Sequence, residues 1–155
     1  MNIPVLLRTL FMCTTLCASS AAFADRPLES FGATTWSSLQ KELPKPAAVV
    51  FTATYCASCP QVLKQLATTL HEKHLDAPVI AVVIDGADSE ALDLEHYVLA
   101  QRIFVFDGDE MSLRYSVDPQ WHGETPFVAL LPRQGPPYWV TGMPSKKQLV
   151  RWLRE

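Results

Sequence analysis

The stretch Ala47-Ala48-Val49-Val50-Phe51-Thr52-Ala53 constrains this chain more than any other. It is an unbroken apolar run with β-branched and aromatic residues, and it lacks the polar alternation of a strand wetted on one side. Such a run reads as a strand covered on both faces, which calls for layers packed above and below a sheet. Val79 to Ile84 is a second instance, preceded by Pro78 and ended by Asp85-Gly86, and Ile103 to Phe106 is a third.

Helical patterns fall between these runs. Thr35 is placed to cap a helix from Trp36 to about Glu42, with Trp36, Leu39 and Leu43 on one side and Pro44 and Pro46 as its stop. Gln61 to His74 carries Val62, Leu63, Leu66, Ala67 and Leu70 at amphipathic spacing. Asp88 or Ser89 is placed to cap a helix to about Ala100, and a short helix is expected near Met111 to Tyr115. Strands alternating with helices imply parallel pairing and an α/β architecture. The last third changes style. Phe127 to Leu131 and Tyr138 to Thr141, joined through Pro132-Arg133-Gln134-Gly135-Pro136-Pro137, suit an antiparallel hairpin, and Ser145 caps a final helix with Leu149, Val150 and Leu153 inward. Residues 25 to 34 read as an irregular lead-in.

At 155 residues, with 48% hydrophobic and 19% charged side chains, the chain suits one domain. The formal charge of −3 and the lack of a basic run give no electrostatic reason for a nucleic-acid partner. Residues 1–24 hold one Arg and no acid, an apolar stretch from Ile3 to Cys17 and a small-residue ending at Ala22-Phe23-Ala24. This is the layout of a secretory signal cleaved between Ala24 and Asp25, leaving a single domain over 25–155 in the periplasm. A retained anchor would need a longer apolar span. Lipidation at Cys13 or Cys17 is disfavoured by bulky Met12 and Leu16 before them.

Cleavage removes Cys13 and Cys17 and leaves only Cys56 and Cys59, in Thr52-Ala53-Thr54-Tyr55-Cys56-Ala57-Ser58-Cys59-Pro60-Gln61. Exported proteins meet an oxidising compartment, where structural disulfides usually close long loops. A bridge over two residues closes almost no loop, so it calls for a chemical explanation rather than an architectural one. The pair lies where a buried strand turns into a helix. Backbone N–H groups and the helix dipole there favour a thiolate at Cys56, while Cys59, further into the first turn, should be the more buried sulfur. An exposed attacking sulfur beside a resolving one is what thiol–disulfide exchange needs. Pro60 is tolerated in the first turn, whose N–H groups have no intrahelical acceptor.

This strand, C-x-x-C and helix passage resembles the thioredoxin superfamily. Thr125-Pro126 before the first hairpin strand agrees, and so does Thr141-Gly142 followed by Ser145-Lys146-Lys147-Gln148-Leu149. The signal segment and the passage VIAVVIDGADSEALDLEHYVLAQ are most similar to the exported TlpA-like branch. The resemblance implies a thioredoxin-like α/β fold, with a central mixed sheet of four to five strands flanked by helices. It implies a protein thiol–disulfide oxidoreductase, with Cys56 as nucleophile and Cys59 as resolving thiol. A cis-proline at Pro126 would pair its preceding peptide with the substrate backbone, Thr125 would contact the active sulfur, and Tyr55 would flank the groove. No bound cofactor and no metal are required. The implied partners are protein thiol or disulfide substrates and a membrane or periplasmic electron donor.

The departures from that pattern carry information. Val50 stands where thioredoxins have a buried acid, so Cys59 must lose its proton to water or another group, and Glu124 is the nearest acid to Pro126 in sequence. Ala57-Ser58 lacks the histidine of strongly oxidising relatives, which points to a reductant rather than an oxidant. Tyr55 replaces the usual Trp. The competing reading is a Sco-like copper-delivery protein using Cys56, Cys59 and His122, although Sco proteins space their cysteines C-x-x-x-C. Two inert buried cysteines are the plainest alternative. A peroxidase would want Thr three residues before the reactive cysteine, where Ala53 stands. His71, His74 and His96 read as surface residues, and Trp36, Trp121, Trp139 and Trp152, scattered in sequence, read as packing.

Overall fold

The computed structural model describes residues 27–86 and 94–155. The signal segment expected at residues 1–24, its cleavage point and the helix cap at Asp88 or Ser89 lie outside the described residues. Among the described residues, the strands are β1 (Leu28–Phe31), β2 (Ala47–Thr52), β3 (Val79–Val83), β4 (Arg102–Phe106), β5 (Phe127–Leu131) and β6 (Tyr138–Thr141). The helices are α1 (Thr35–Glu42), α2 (Cys59–Glu72), α3 (Glu110–Val117) and α4 (Lys146–Arg154), and Leu94–Tyr97 forms a single 3-10 turn.

The strands make one mixed sheet in the order β1-β4-β3-β2-β5-β6. β1, β4, β3 and β2 run parallel, β5 pairs antiparallel with β2, and β6 pairs antiparallel with β5. Six strands replace the four to five expected. The extra one is β1, read from sequence as an irregular lead-in. It is an edge strand with one neighbour, and its Glu29 and Ser30 hide the strand signal. Glu29 instead takes a two-pronged salt bridge from Arg102 of β4, with Arg102 Nε at 2.7 Å.

β2 lies between β3 and β5, and all six of its residues are buried. Alternate side chains enter separate cores, as strand geometry requires. Ala47, Val49 and Phe51 point into a layer with Trp36 and Leu39 of α1 and Leu113 and Val117 of α3. Ala48 and Val50 point into the other layer, with Val62, Leu63, Leu66 and Leu70 of α2 and Leu149 and Trp152 of α4.

Local chemistry sets the helix ends. Thr34, rather than Thr35, is the cap of α1, and Thr35 Oγ1 accepts the Gly32 N–H at 3.0 Å. Asp109 caps α3 by accepting the Ser112 N–H at 2.8 Å, and hydrogen bonds from the Ser112 side chain and backbone hold its carboxyl below the usual range. Ser145 and Gln148 form a reciprocal capping box on α4. No described helix is long and apolar enough to cross a membrane.

Candidate functional site

Strand register brings four chain segments to one end of the sheet. β2 and β3 run parallel with Thr52 opposite Val83, so the turn carrying Cys56 and the Ile84-Asp85 corner leave the same edge. β5 enters there, because Phe51 pairs antiparallel with Phe127, one residue after Pro126. β6 exits there, with Thr141 opposite Phe127, and the Gly142 N–H donates to the Pro126 carbonyl at 2.8 Å. Gly142 has φ +84°, a conformation that favours glycine.

Cys56 and Cys59 are joined by a disulfide with Cα atoms 5.5 Å apart. Cys59 is the first residue of α2 and only 1% exposed, whereas Cys56 is half-buried against the aromatic core layer. The turn is tight. Cys56 N–H donates to the Ala53 carbonyl at 3.0 Å, and Cys59 N–H to the Cys56 carbonyl at 3.2 Å. Pro60 sits in the first turn of α2, and Ser58 caps the helix without a side-chain bond. The site therefore presents one reachable sulfur and one enclosed sulfur at a helix N-terminus, an arrangement suited to stabilising an anion on the outer atom.

Tyr55 is 75% exposed beside this turn. The Thr125–Pro126 peptide bond is cis, with Thr125 half-buried and Pro126 buried. Glu124 is exposed, and its Oε2 accepts the His122 N–H at 3.2 Å. Val50 is fully buried on the α2 side, so a hydrocarbon occupies that position. Among the described residues, no three His, Cys, Asp or Glu side chains gather in a group that could hold a metal ion. An open cleft of about 340 Å³ beside α3 is lined by Met111, Arg114, Tyr115, Pro119, Trp121 and His122 and does not include the disulfide.

Two features were not legible in the sequence. Trp121, Phe127 and Trp139 form a three-ring stack, with Phe127 between the indoles at 4.8 Å from each. Trp36 extends this stack at 5.2 Å from Trp139, and Phe51 joins it at 5.0 Å from Trp121. Two of the four scattered tryptophans thus flank the residue that follows Pro126, and Trp36 joins them through Trp139. The second feature is Asp85, read only as a strand stop. Its carboxylate takes the Thr54 N–H at 2.8 and 3.0 Å and the Thr54 hydroxyl at 2.6 Å.

Among solved structures, the chain is similar to a thio-disulfide isomerase from Thermus thermophilus, with a TM-score of 0.51 and 18% identity over 72% of this chain and 79% of that one. It is similar also to a secreted Mycobacterium tuberculosis disulfide oxidoreductase homologous to E. coli DsbE, with a TM-score of 0.51 and 19% identity over 75% of this chain and 83% of that one. The chain has a thioredoxin-like fold. No family model matches the sequence, and no curated protein matches it. In the thioredoxin-like frame, the disulfide occupies the carboxyl end of a central strand, where open α/β sheets place their ligand crevices.

Proposed function

We propose that this chain is an exported thiol–disulfide oxidoreductase that exchanges dithiol electrons with protein substrates in the periplasm. The observation that carries this reading is the asymmetric pair at the mouth of α2, a half-buried Cys56 bonded to an enclosed Cys59. The fold it shares with two disulfide-exchanging proteins supports the reading, and one of those is secreted. The export pattern in residues 1–24 supports the compartment.

In the reducing direction the cycle starts from the dithiol. The Cys56 thiolate attacks one sulfur of a substrate disulfide, the substrate S–S bond breaks, and the departing thiolate takes a proton from solvent. Cys59 then loses its proton and attacks Cys56 Sγ. The Cys56–Cys59 bond forms, the second substrate thiolate leaves, and two electrons have passed to the substrate. An upstream dithiol restores the pair by the same exchange in reverse. The cysteines are the redox centre, so the cycle needs no bound cofactor. In this reading Tyr55, Thr125 and Pro126 form the rim that meets the substrate backbone, and Glu124 accepts the Cys59 proton.

The direction of flow is set by the potential. With Ala57 and Ser58 between the cysteines, no imidazolium stabilises the reduced form, which favours a reductant. Equilibration of the pair with glutathione tests this. A potential near about −270 mV supports the reductant reading, and one near about −120 mV reverses the direction. If insulin disulfides are not reduced in the presence of a dithiol donor, the exchange reading itself fails.

A further inference from the structure

The turn that carries Cys56 is tied down from 31 residues away. Thr54, two residues before Cys56, gives its N–H to both oxygens of the Asp85 carboxylate and its hydroxyl to Oδ2. Hydrogen bonds to an ionised acceptor are roughly twice as strong as neutral ones, and the 2.6 Å hydroxyl contact has the short length of that class. Asp85 is itself held in place. The Ile84 N–H donates to the Thr52 carbonyl at 2.9 Å on one side of it. On the other side, a Cβ at Gly86 would lie 3.0 Å from methyls of both Val83 and Val105, so that corner sits hard against β4. The backbone on both sides of Asp85 is therefore fixed at the end of β3, and the segment between β2 and the disulfide is fastened to its exposed carboxylate.

We propose that Asp85 is a positioning residue for the Cys56–Cys59 pair. By holding residue 54 it fixes the turn that presents Cys56 to Cys59 and raises the effective concentration of each thiol toward the other. The use of this device in catalysis rests on the exchange reading above, but the device is a property of the disulfide and is measurable without a protein substrate. The relevant equilibrium converts the dithiol and one glutathione disulfide into the Cys56–Cys59 disulfide and two glutathione thiols. The glutathione S–S bond breaks, the Cys56–Cys59 bond forms, and the two cysteine protons pass to the glutathione sulfurs. A loosened turn makes that bond harder to close and lowers the equilibrium constant.

The test is this constant for the parent, Asp85→Ala, Asp85→Asn and Thr54→Val in the full chain. Asp85→Ala is expected to lower it by about tenfold, equivalent to about 30 mV for a two-electron couple. Removing a nearby anion would also favour the reduced thiolate, so the other variants separate position from charge. Asn keeps an oxygen acceptor for Thr54 but no charge, and its constant is expected to lie nearer the parent than the Ala variant. Thr54→Val keeps the charge but loses one of the three bonds, and is expected to shift in the same direction as Ala by a smaller factor. The proposal is overturned if Ala stays within about twofold of the parent, or if Asn matches Ala while Thr54→Val changes nothing. Should Asp85→Ala fail to fold, the Asn and Val variants decide alone. Insulin reduction by the parent keeps the two claims apart. A parent that equilibrates with glutathione but reduces no insulin defeats the exchange reading and leaves the positioning result standing.

Discussion

Cys59 lies almost wholly enclosed, 1% exposed, while its disulfide partner Cys56 is half-buried. An incoming sulfur must approach in line with the bond it breaks, and only Cys56 offers solvent such a path. Cys56→Ser is therefore expected to abolish exchange. Cys59→Ser is expected to stall after the first step and accumulate mixed disulfides, visible as substrate-linked species on non-reducing gels and by mass spectrometry. If Cys59→Ser frees its substrates as readily as the parent does, the division of labour is wrong.

Trp152 holds the other end of the site's scaffold. It is fully buried in the α2–α4 layer, and its indole N–H donates to the Leu131 carbonyl at 2.8 Å, at the far end of the strand that begins after Pro126. Trp152→Phe keeps most of the apolar volume but leaves that carbonyl without its indole donor, for an expected loss of about 1–3 kcal/mol. Trp152→Ala adds a cavity and should cost about 3–5 kcal/mol. Thermal unfolding reads both, at about 2–4 °C per kcal/mol for a chain of this size. Equal losses for Phe and Ala would show that packing contributes nothing at this position.

The sequence reading succeeded where the signal is local. Central strands β2 and β3 are continuous apolar runs, α2 repeats its apolar residues at helical spacing, and the two cysteines stand one turn apart, so neighbours in the chain suffice to recognise them. It failed where long-range pairing decides. Leu28–Phe31 has little strand character of its own and becomes β1 by docking on β4 through four registered pairs. Asp85 looked like a turn residue because its partner, Thr54, comes before it by 31 positions. The tryptophans looked scattered because Phe127, which Trp121 and Trp139 flank, is brought to Phe51 by the β2–β5 register. The cysteine pair and the central strands were therefore readable from neighbours in the chain, while the contacts made across the sheet were not.

The Glu29–Arg102 salt bridge that fastens β1 predicts part of the acid response. Glu29's carboxyl is held below its ordinary value chiefly by the hydrogen bond from Arg102, against the opposing effect of burial. A carboxyl depressed in the folded state contributes stability that is fully present above its unfolded value, about pH 4.3, and is lost as pH falls through the folded value. Both side chains are more than a third exposed, at 40% and 34%, so the contribution is at most about 1 kcal/mol. Glu29→Gln should therefore be slightly less stable than the parent at neutral pH and indistinguishable from it at about pH 2, where neither carries the charge. Urea midpoints at the two pH values check this, and a difference that persists in acid would assign the loss to packing of β1 instead.

In the proposed cycle, resolution of the mixed disulfide requires a proton to leave the buried Cys59, and the position where thioredoxins carry a buried acid holds the buried hydrocarbon of Val50. Glu124 is the acid assigned here. It stands two residues before Pro126, exposed, with its carboxylate on the His122 N–H at 3.2 Å. A base at this position acts only in the second step, so Glu124→Gln should leave attack by Cys56 unchanged and slow release of the second thiol. General-base contributions start at about a hundredfold, and this sets the expected size of the effect. Single-turnover release of a chromogenic thiol from Cys56, followed against pH, separates the two steps. If the parent and Glu124→Gln release that thiol at the same rate at every pH, the proton leaves directly to water and Glu124 has no part in the cycle.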